Sequence, residues 1–144
     1  MQSTTVKYNE VDSAGNFHGV FTYQAVPLQT LLNLAVIEQK NSTFKKPVDA
    51  TIVISDAKGK KVVVSWGEIY YSNPAEVTIA YRSTAVLPTK RNCARCHTSD
   101  EFQPTMDQLH RHVALPKLLI DGDFYSDRFL EGVVNIEVVD VRPN

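Results

Sequence analysis

Cysteine is scarce in this sequence. Two of the 144 residues are cysteine, Cys93 and Cys96, and they lie three positions apart. A disulfide that closes so short a loop restricts little of the unfolded chain, so disulfide bonds are excluded as the scaffold of the fold. The stability must come from an apolar core, and a chain of this length with 43% hydrophobic residues is long enough for one domain.

A surplus of charge of one sign is also missing. Fifteen basic residues face sixteen acidic ones, which gives a formal net charge of -1. This excludes the broad positive field that attracts nucleic acid or an anionic membrane surface. No apolar run approaches the roughly 20 residues of a membrane span. Residues 1–5 are polar and show no signal-peptide pattern, so we expect either a cytoplasmic protein or an exported one whose signal is absent from this chain.

The residues that are present predict strands interrupted by short helices. Leu28, Leu31, Leu32 and Ala35 fall on one face of a helix that follows Pro27 and should end near Gln39. A capping-box pattern at Ser65 and Glu68 predicts a second helix start, and a similar pattern at Thr105 and Gln108 predicts a helix over 106–113. Strands are predicted over residues 4–8, 17–23, 50–55, 61–65, 76–82, 115–120 and 133–141. Gly59 supplies the turn between the third and fourth of these strands.

Three stretches in this order resemble the molybdopterin-binding domain of the sulfite oxidase family: residues 23–32, 53–59 and 115–140. The resemblance implies an α+β fold with a mixed sheet and short helices, a single domain over 1–144, and an inserted segment over 89–114. It also implies that Arg128 occupies a position that often faces the cofactor. The family's molybdenum-ligating cysteine is matched here by Ser13, and serine is a poor replacement for a soft thiolate. We therefore expect no molybdenum catalysis and do not favour molybdopterin as a cofactor, although binding of a pterin or another small ligand in the family's cleft stays open.

The inserted segment contains the pattern Cys93-x-x-Cys96-His97. Two thiols at this spacing can form thioethers to one haem, and the adjacent histidine then lies beneath the iron as the proximal ligand. This predicts an electron-transfer module with covalent haem c, a redox partner protein and export to the periplasm or a similar compartment. On the helix predicted over 106–113, Met106 and His110 share an apolar face, so His110 is the preferred distal ligand and Met106 the second choice.

Other interpretations of the same residues remain open. Cys93, Cys96, His97 and His112 could hold a structural zinc ion in a non-catalytic binding module. The two thiols could also form a redox disulfide, or one of them could ligate molybdenum. The basic residues around the motif could pair with haem propionates or dock an acidic redox partner; they are Lys90, Arg91, Arg95 and Arg111. His18 is interpreted as a surface or hydrogen-bonded histidine. No catalytic motif is evident, so an independent enzymatic activity is not expected.

Overall fold

The computed structural model describes residues 2–35, 50–87 and 103–140. Its elements, in chain order, are β1 (Thr4–Val11), β2 (Phe17–Pro27), α1 (Leu28–Leu34), β3 (Ala50–Asp56), β4 (Lys61–Ser65), α2 (Trp66–Tyr70), β5 (Val77–Ala85), α3 (Gln103–Leu109), β6 (Lys117–Ile120) and β7 (Val133–Asp140). Short 3₁₀ turns lie at Pro74–Glu76 and Ser126–Arg128. The predicted α+β class is confirmed.

The strands form two sheets. One has the order β1-β2-β5-β6 and the other β4-β3-β7. The pairings between these described strands are antiparallel. Neighbouring residues of a strand point to opposite faces, so β6 contributes to two separate cores. Leu118 and Ile120 join the main apolar core with α1, α2 and the second sheet, whereas Leu119 joins a smaller cluster around Phe21 and Tyr23.

The local signals around β3 and β4 are confirmed. Gly59 has a φ of +89°, as the predicted hairpin turn requires. The Ser65 hydroxyl accepts a hydrogen bond from the Glu68 N–H, and the Glu68 carboxylate accepts one from the Ser65 N–H. This reciprocal pair is the predicted capping box, and it begins α2.

Two helix boundaries differ from the prediction. α1 ends at Leu34 because Ala35 already has an extended backbone, with a ψ of 123°; residues 36–39 lie outside the described part. α3 covers Gln103–Leu109 instead of 106–113. Thr105 therefore lies inside the helix and does not cap it, and Pro104 occupies the first turn, where proline is tolerated.

β6 begins at Lys117, two residues later than predicted. Pro116 has no N–H to donate to a strand ladder, which accounts for the later start. Among the described residues, no helix is long and apolar enough to cross a membrane.

Candidate ligand cleft above a buried ion cluster

The predicted haem or zinc residues are described only in part. Cys93, Cys96 and His97 lie outside the described residues, as do the basic Lys90, Arg91 and Arg95. Met106 lies in α3 and is half-buried. His110 follows the end of α3 and is exposed, and so is His112. The helix predicted over 106–113 ends at Leu109, and the N–H of His110 still donates to the Met106 carbonyl at 3.1 Å.

α3 packs on the first part of β2 at Gly19. This glycine has a φ of +109°, and a Cβ atom placed on it would lie 2.7 Å from the Gln108 carbonyl oxygen. Only glycine allows the helix to approach the strand so closely without strain. α3 is thereby held beside His18, the residue before Gly19.

A buried ion pair lies close to this contact, since Glu10 is paired with Gly19 across β1 and β2. Lys117 is 0% exposed and Glu10 is 2% exposed. The Lys117 ammonium donates hydrogen bonds to the Glu10 carboxylate and, at 2.8 Å, to the Tyr23 hydroxyl, which itself donates to Glu10. Burial lowers the pKa of Lys117 and raises that of Tyr23, because both charged forms lose water. The three groups satisfy one another, as buried polar groups must.

Arg111 connects this pair to α3 and to the surface. Its guanidinium donates to both Glu131 oxygens at 3.0 Å and to the His18 carbonyl at 2.6 Å. It also lies 3.7 Å from Glu10. Arg111 is thus held by Glu131 and the His18 carbonyl, and its side chain remains 20% exposed.

A cleft of about 370 Å³ opens above this ion cluster. A cleft of this size is within the range of small-molecule sites. Its walls carry four carboxylates, a histidine, two cationic side chains, a hydroxyl and one aromatic ring. These belong to Glu10, Asp12, Asp127, Glu131, His18, Lys60, Arg111, Ser126 and Phe129.

The mouth of the cleft contains a histidine–carboxylate pair. The His18 Nε2 lies 2.8 Å from the Asp12 Oδ2. The other Asp12 oxygen accepts hydrogen bonds from the backbone N–H groups of Ala14 and Asn16, at 3.0 and 2.8 Å. The hydrogen bond from His18, followed by that from the Asn16 backbone, lowers the pKa of Asp12 to about 2. Asp12 therefore remains a carboxylate and fixes the imidazole.

The same histidine borders a second groove. This groove has a volume of about 400 Å³ and runs between the start of β2 and α3. Asn16, Phe17, His18, Pro104, Thr105 and Gln108 line it. His18 is the residue that the cleft and the groove have in common.

Two positions from the family resemblance have structural roles outside the cleft lining. The Ser13 backbone N–H donates to Asp127 at 3.1 Å, which holds the turn before β2 against the 3₁₀ turn at Ser126–Arg128. Arg128 binds Glu68 and Asp123 at 2.7 Å and the Val63 carbonyl at 3.1 Å. Its guanidinium braces β4 and α2, which does not support a cofactor-facing position.

Within the described ranges, no group of three or more His, Cys, Asp or Glu side chains is arranged to hold a metal ion. Comparisons with protein-family models, with curated proteins and with solved structures find no match to this chain.

The sequence prediction missed the residues that build the cleft floor. Glu10, Tyr23, Lys117 and Glu131 were not singled out, although one signal existed. Lys117 is the first residue of a strand that is otherwise apolar, and a lysine at such a position is buried only when it has a partner.

Proposed function

We propose that the chain is an electron-transfer module with one covalent haem c on Cys93 and Cys96, with His97 as the proximal ligand. The observation that carries the proposal is the Cys-x-x-Cys-His pattern in a chain with no other cysteine. The fold we associate with it is that of the sulfite oxidase molybdopterin-binding domain, without molybdenum chemistry because Ser13 replaces the thiolate. Haem attachment implies an exported protein and a redox partner protein.

The described residues supply a suitable platform for such a segment. Val86, just after β5, donates its N–H to the Val20 carbonyl at 2.9 Å. On the other side, Pro104 and Thr105 at the start of α3 border the groove beside His18. The described residues on both sides of the segment that contains the motif therefore lie at the same short stretch of β2.

Absorption spectroscopy and intact mass test the proposal, on protein exported in a host that attaches haem c. We expect a Soret band and the added mass of one haem. The matched control is the Cys93→Ala/Cys96→Ala variant, which should be colourless and unmodified. A colourless wild-type protein of unmodified mass would contradict the proposal.

The second candidate is a non-catalytic zinc-binding or small-ligand module of the same fold. Cys-x-x-Cys is half of a common zinc site, and the cleft of about 370 Å³ offers space for a small polar ligand. Zinc predicts one metal ion per colourless chain and loss of stability on chelation. Metal analysis of the purified protein separates this candidate from haem and from a metal-free redox disulfide.

A further inference from the structure

We propose that the cleft above the buried ion cluster binds a small amino acid in its zwitterionic form, with the ammonium group at Asp127 and the carboxylate at Lys60 and Arg111. The proposal rests on the small-ligand module that is the second candidate function above, and it names the class of ligand. All three residues lie in the described part of the chain and line the cleft.

Three of the four carboxylates in the cleft wall already have a cation or a histidine beside them. The three pairs are Glu10 with Lys117, Glu131 with Arg111, and Asp12 with His18. The charges of these carboxylates are therefore largely compensated by the protein itself. The groups that can select a charged ligand are the remaining ones of the wall.

Asp127 is the fourth carboxylate, and within the described ranges no basic side chain pairs with it. Its Oδ1 accepts the Ser13 N–H at 3.1 Å, which orients the carboxylate against the turn before β2. No hydrogen bond to its Oδ2 is found in the same ranges. An oriented carboxylate oxygen at an exposed position can accept a charge-assisted hydrogen bond from an ammonium group.

Lys60 is the complementary cation of the wall. Its backbone is fixed in the hairpin turn, because its N–H donates to the Asp56 side chain at 2.9 Å and its carbonyl accepts the Asp56 N–H at 3.1 Å. Its side chain lines the cleft, and no carboxylate pairs with it among the residues that the structure describes. Lys60 can therefore attract the negative end of a ligand.

Arg111 supplies a second donor for that negative end. Its Nε and Nη1 bind the His18 carbonyl and Glu131, and its guanidinium carbon lies 4.9 Å from the centre of the Phe21 ring. Its Nη2 is 3.7 Å from the Glu10 Oε1 and makes no hydrogen bond within the described part. The guanidinium is thus held in place with N–H groups left for a ligand carboxylate.

These groups together favour a ligand with one positive and one negative end. A simple anion would meet the carboxylate of Asp127, and a simple cation would meet Lys60 and Arg111, so each would have a repulsive contact. A zwitterion has an attractive contact at both ends. A volume of about 370 Å³ admits a small amino acid. The wall is mostly polar, with Phe129 as its apolar surface, which favours a short or polar ligand side chain.

Isothermal titration calorimetry of the full chain tests the assignment, with glycine, serine and γ-aminobutyrate as probes. We expect at least one of the three to bind. The matched ligand controls are the N-acetyl and amide derivatives of the tightest binder, because the first lacks the ammonium group and the second lacks the carboxylate. Each derivative should bind at least about tenfold more weakly, since it loses one charged contact.

Two variants test the position of the ligand. Asp127→Asn removes the charge and keeps an oxygen for the Ser13 N–H, and Lys60→Gln removes the cation at the rim. Each should lower the affinity about tenfold. Asp107→Asn and Lys58→Gln are the matched controls, because these exposed residues do not line the cleft. The controls should keep the wild-type affinity, and unchanged urea midpoints of all four variants show that the fold is intact.

The possible failures are distinguishable. If none of the probes or derivatives binds, the small-ligand function is wrong together with the amino-acid assignment. If a blocked derivative binds as tightly as its amino acid, the cleft binds a small ligand but the zwitterion assignment is wrong. If amino acids bind equally well to Asp127→Asn and Lys60→Gln, the ligand lies elsewhere and the proposed site is wrong. Haem and zinc are decided separately by the absorption spectrum, the intact mass and the metal analysis.

Discussion

Lys117 and Leu118 are neighbours on β6, and both side chains are fully buried, yet they lie in opposite kinds of interior. Leu118 packs among apolar residues between the two sheets. Lys117 points to the other face, where it meets Glu10 and Tyr23. The apolar side gains stability from the area removed from water. The charged side is stable only while every member has its partner, because an unpaired buried charge is costly.

The two interiors also differ in what they hold in place. The apolar core fixes the two sheets against α1 and α2. The charged cluster connects β1, β2 and β6, and through Arg111 it also binds the carbonyl of His18. It therefore supports the cleft and the backbone of His18 beside it. The polar interior therefore positions the residues of the cleft, whereas the apolar interior holds the sheets and helices together.

The largest expected effect comes from breaking the charged interior at Lys117. Lys117→Met leaves Glu10 buried without its cation, which should lower the free energy of unfolding by about 3–5 kcal/mol. Urea unfolding followed by circular dichroism measures the change. Lys58→Met is the control, because Lys58 is exposed in the hairpin turn, and its effect should stay within about 0.5 kcal/mol.

A double variant sharpens the same comparison. In Glu10→Gln/Lys117→Met both charges are absent and the Tyr23 hydroxyl keeps an acceptor, so the double variant should be more stable than Lys117→Met alone. If Lys117→Met lowers the free energy of unfolding by less than about 1 kcal/mol, the cluster is in contact with water. That result would contradict its description as a buried network.

The two interiors also differ in how far the sequence predicts them. The hairpin at Gly59 and the capping box at Ser65 and Glu68 were predicted correctly because each signal lies within a few residues. Lys117 and Glu10 are 107 positions apart. No local pattern brings them together, since their contact depends on the strand order β1-β2-β5-β6.

The same limit applies to the candidate site. The Cys93–His97 motif is contiguous and was found from its spacing, but His18 was interpreted as a surface or hydrogen-bonded residue. In the structure, the hydrogen-bond partner of His18 is Asp12. The position of His18 beside α3 was not predictable from the sequence. It depends on the close approach of α3 to Gly19, and α3 ends earlier than the capping pattern predicted.

Gly19→Ala tests whether α3 is held rigidly beside the cleft. The left-handed conformation alone should cost about 1–2 kcal/mol, and the contacts with the Phe21 ring at 2.6 Å and the Gln108 carbonyl at 2.7 Å should add about 1–3 kcal/mol, as overpacking does. Gly59→Ala is the matched control, since Gly59 also has a positive φ but a Cβ atom placed on it would meet nothing within 4 Å. The urea midpoints of Gly19→Ala and Gly59→Ala, each compared with the wild type, give the two losses of stability. Equal losses would mean that both the Phe21 ring and α3 move away without cost and that the contact of α3 with β2 is weak.

The smallest expected effect concerns the charge at the mouth of the cleft. The pKa of Asp12 is about 2 in the folded protein, below the value of about 3.9 of an unfolded chain. A carboxyl whose folded pKa is lowered stabilises the fold above the unfolded value, and this stabilisation is lost as the pH falls from about 4 toward 2. Asp12→Asn should therefore reduce the acid sensitivity of urea unfolding measured between pH 2 and 6.

Asp56→Asn is the control for that measurement. Asp56 accepts N–H groups from Lys58 and Lys60 at 2.9 Å, as Asp12 accepts them from its own loop, but without a histidine among its described partners. If Asp12→Asn reduces the acid sensitivity more than Asp56→Asn does, the bond between Asp12 and His18 is present in solution. If the two variants behave alike, Asp12 does not hold the imidazole at the mouth of the cleft, even though the buried cluster beneath it is intact.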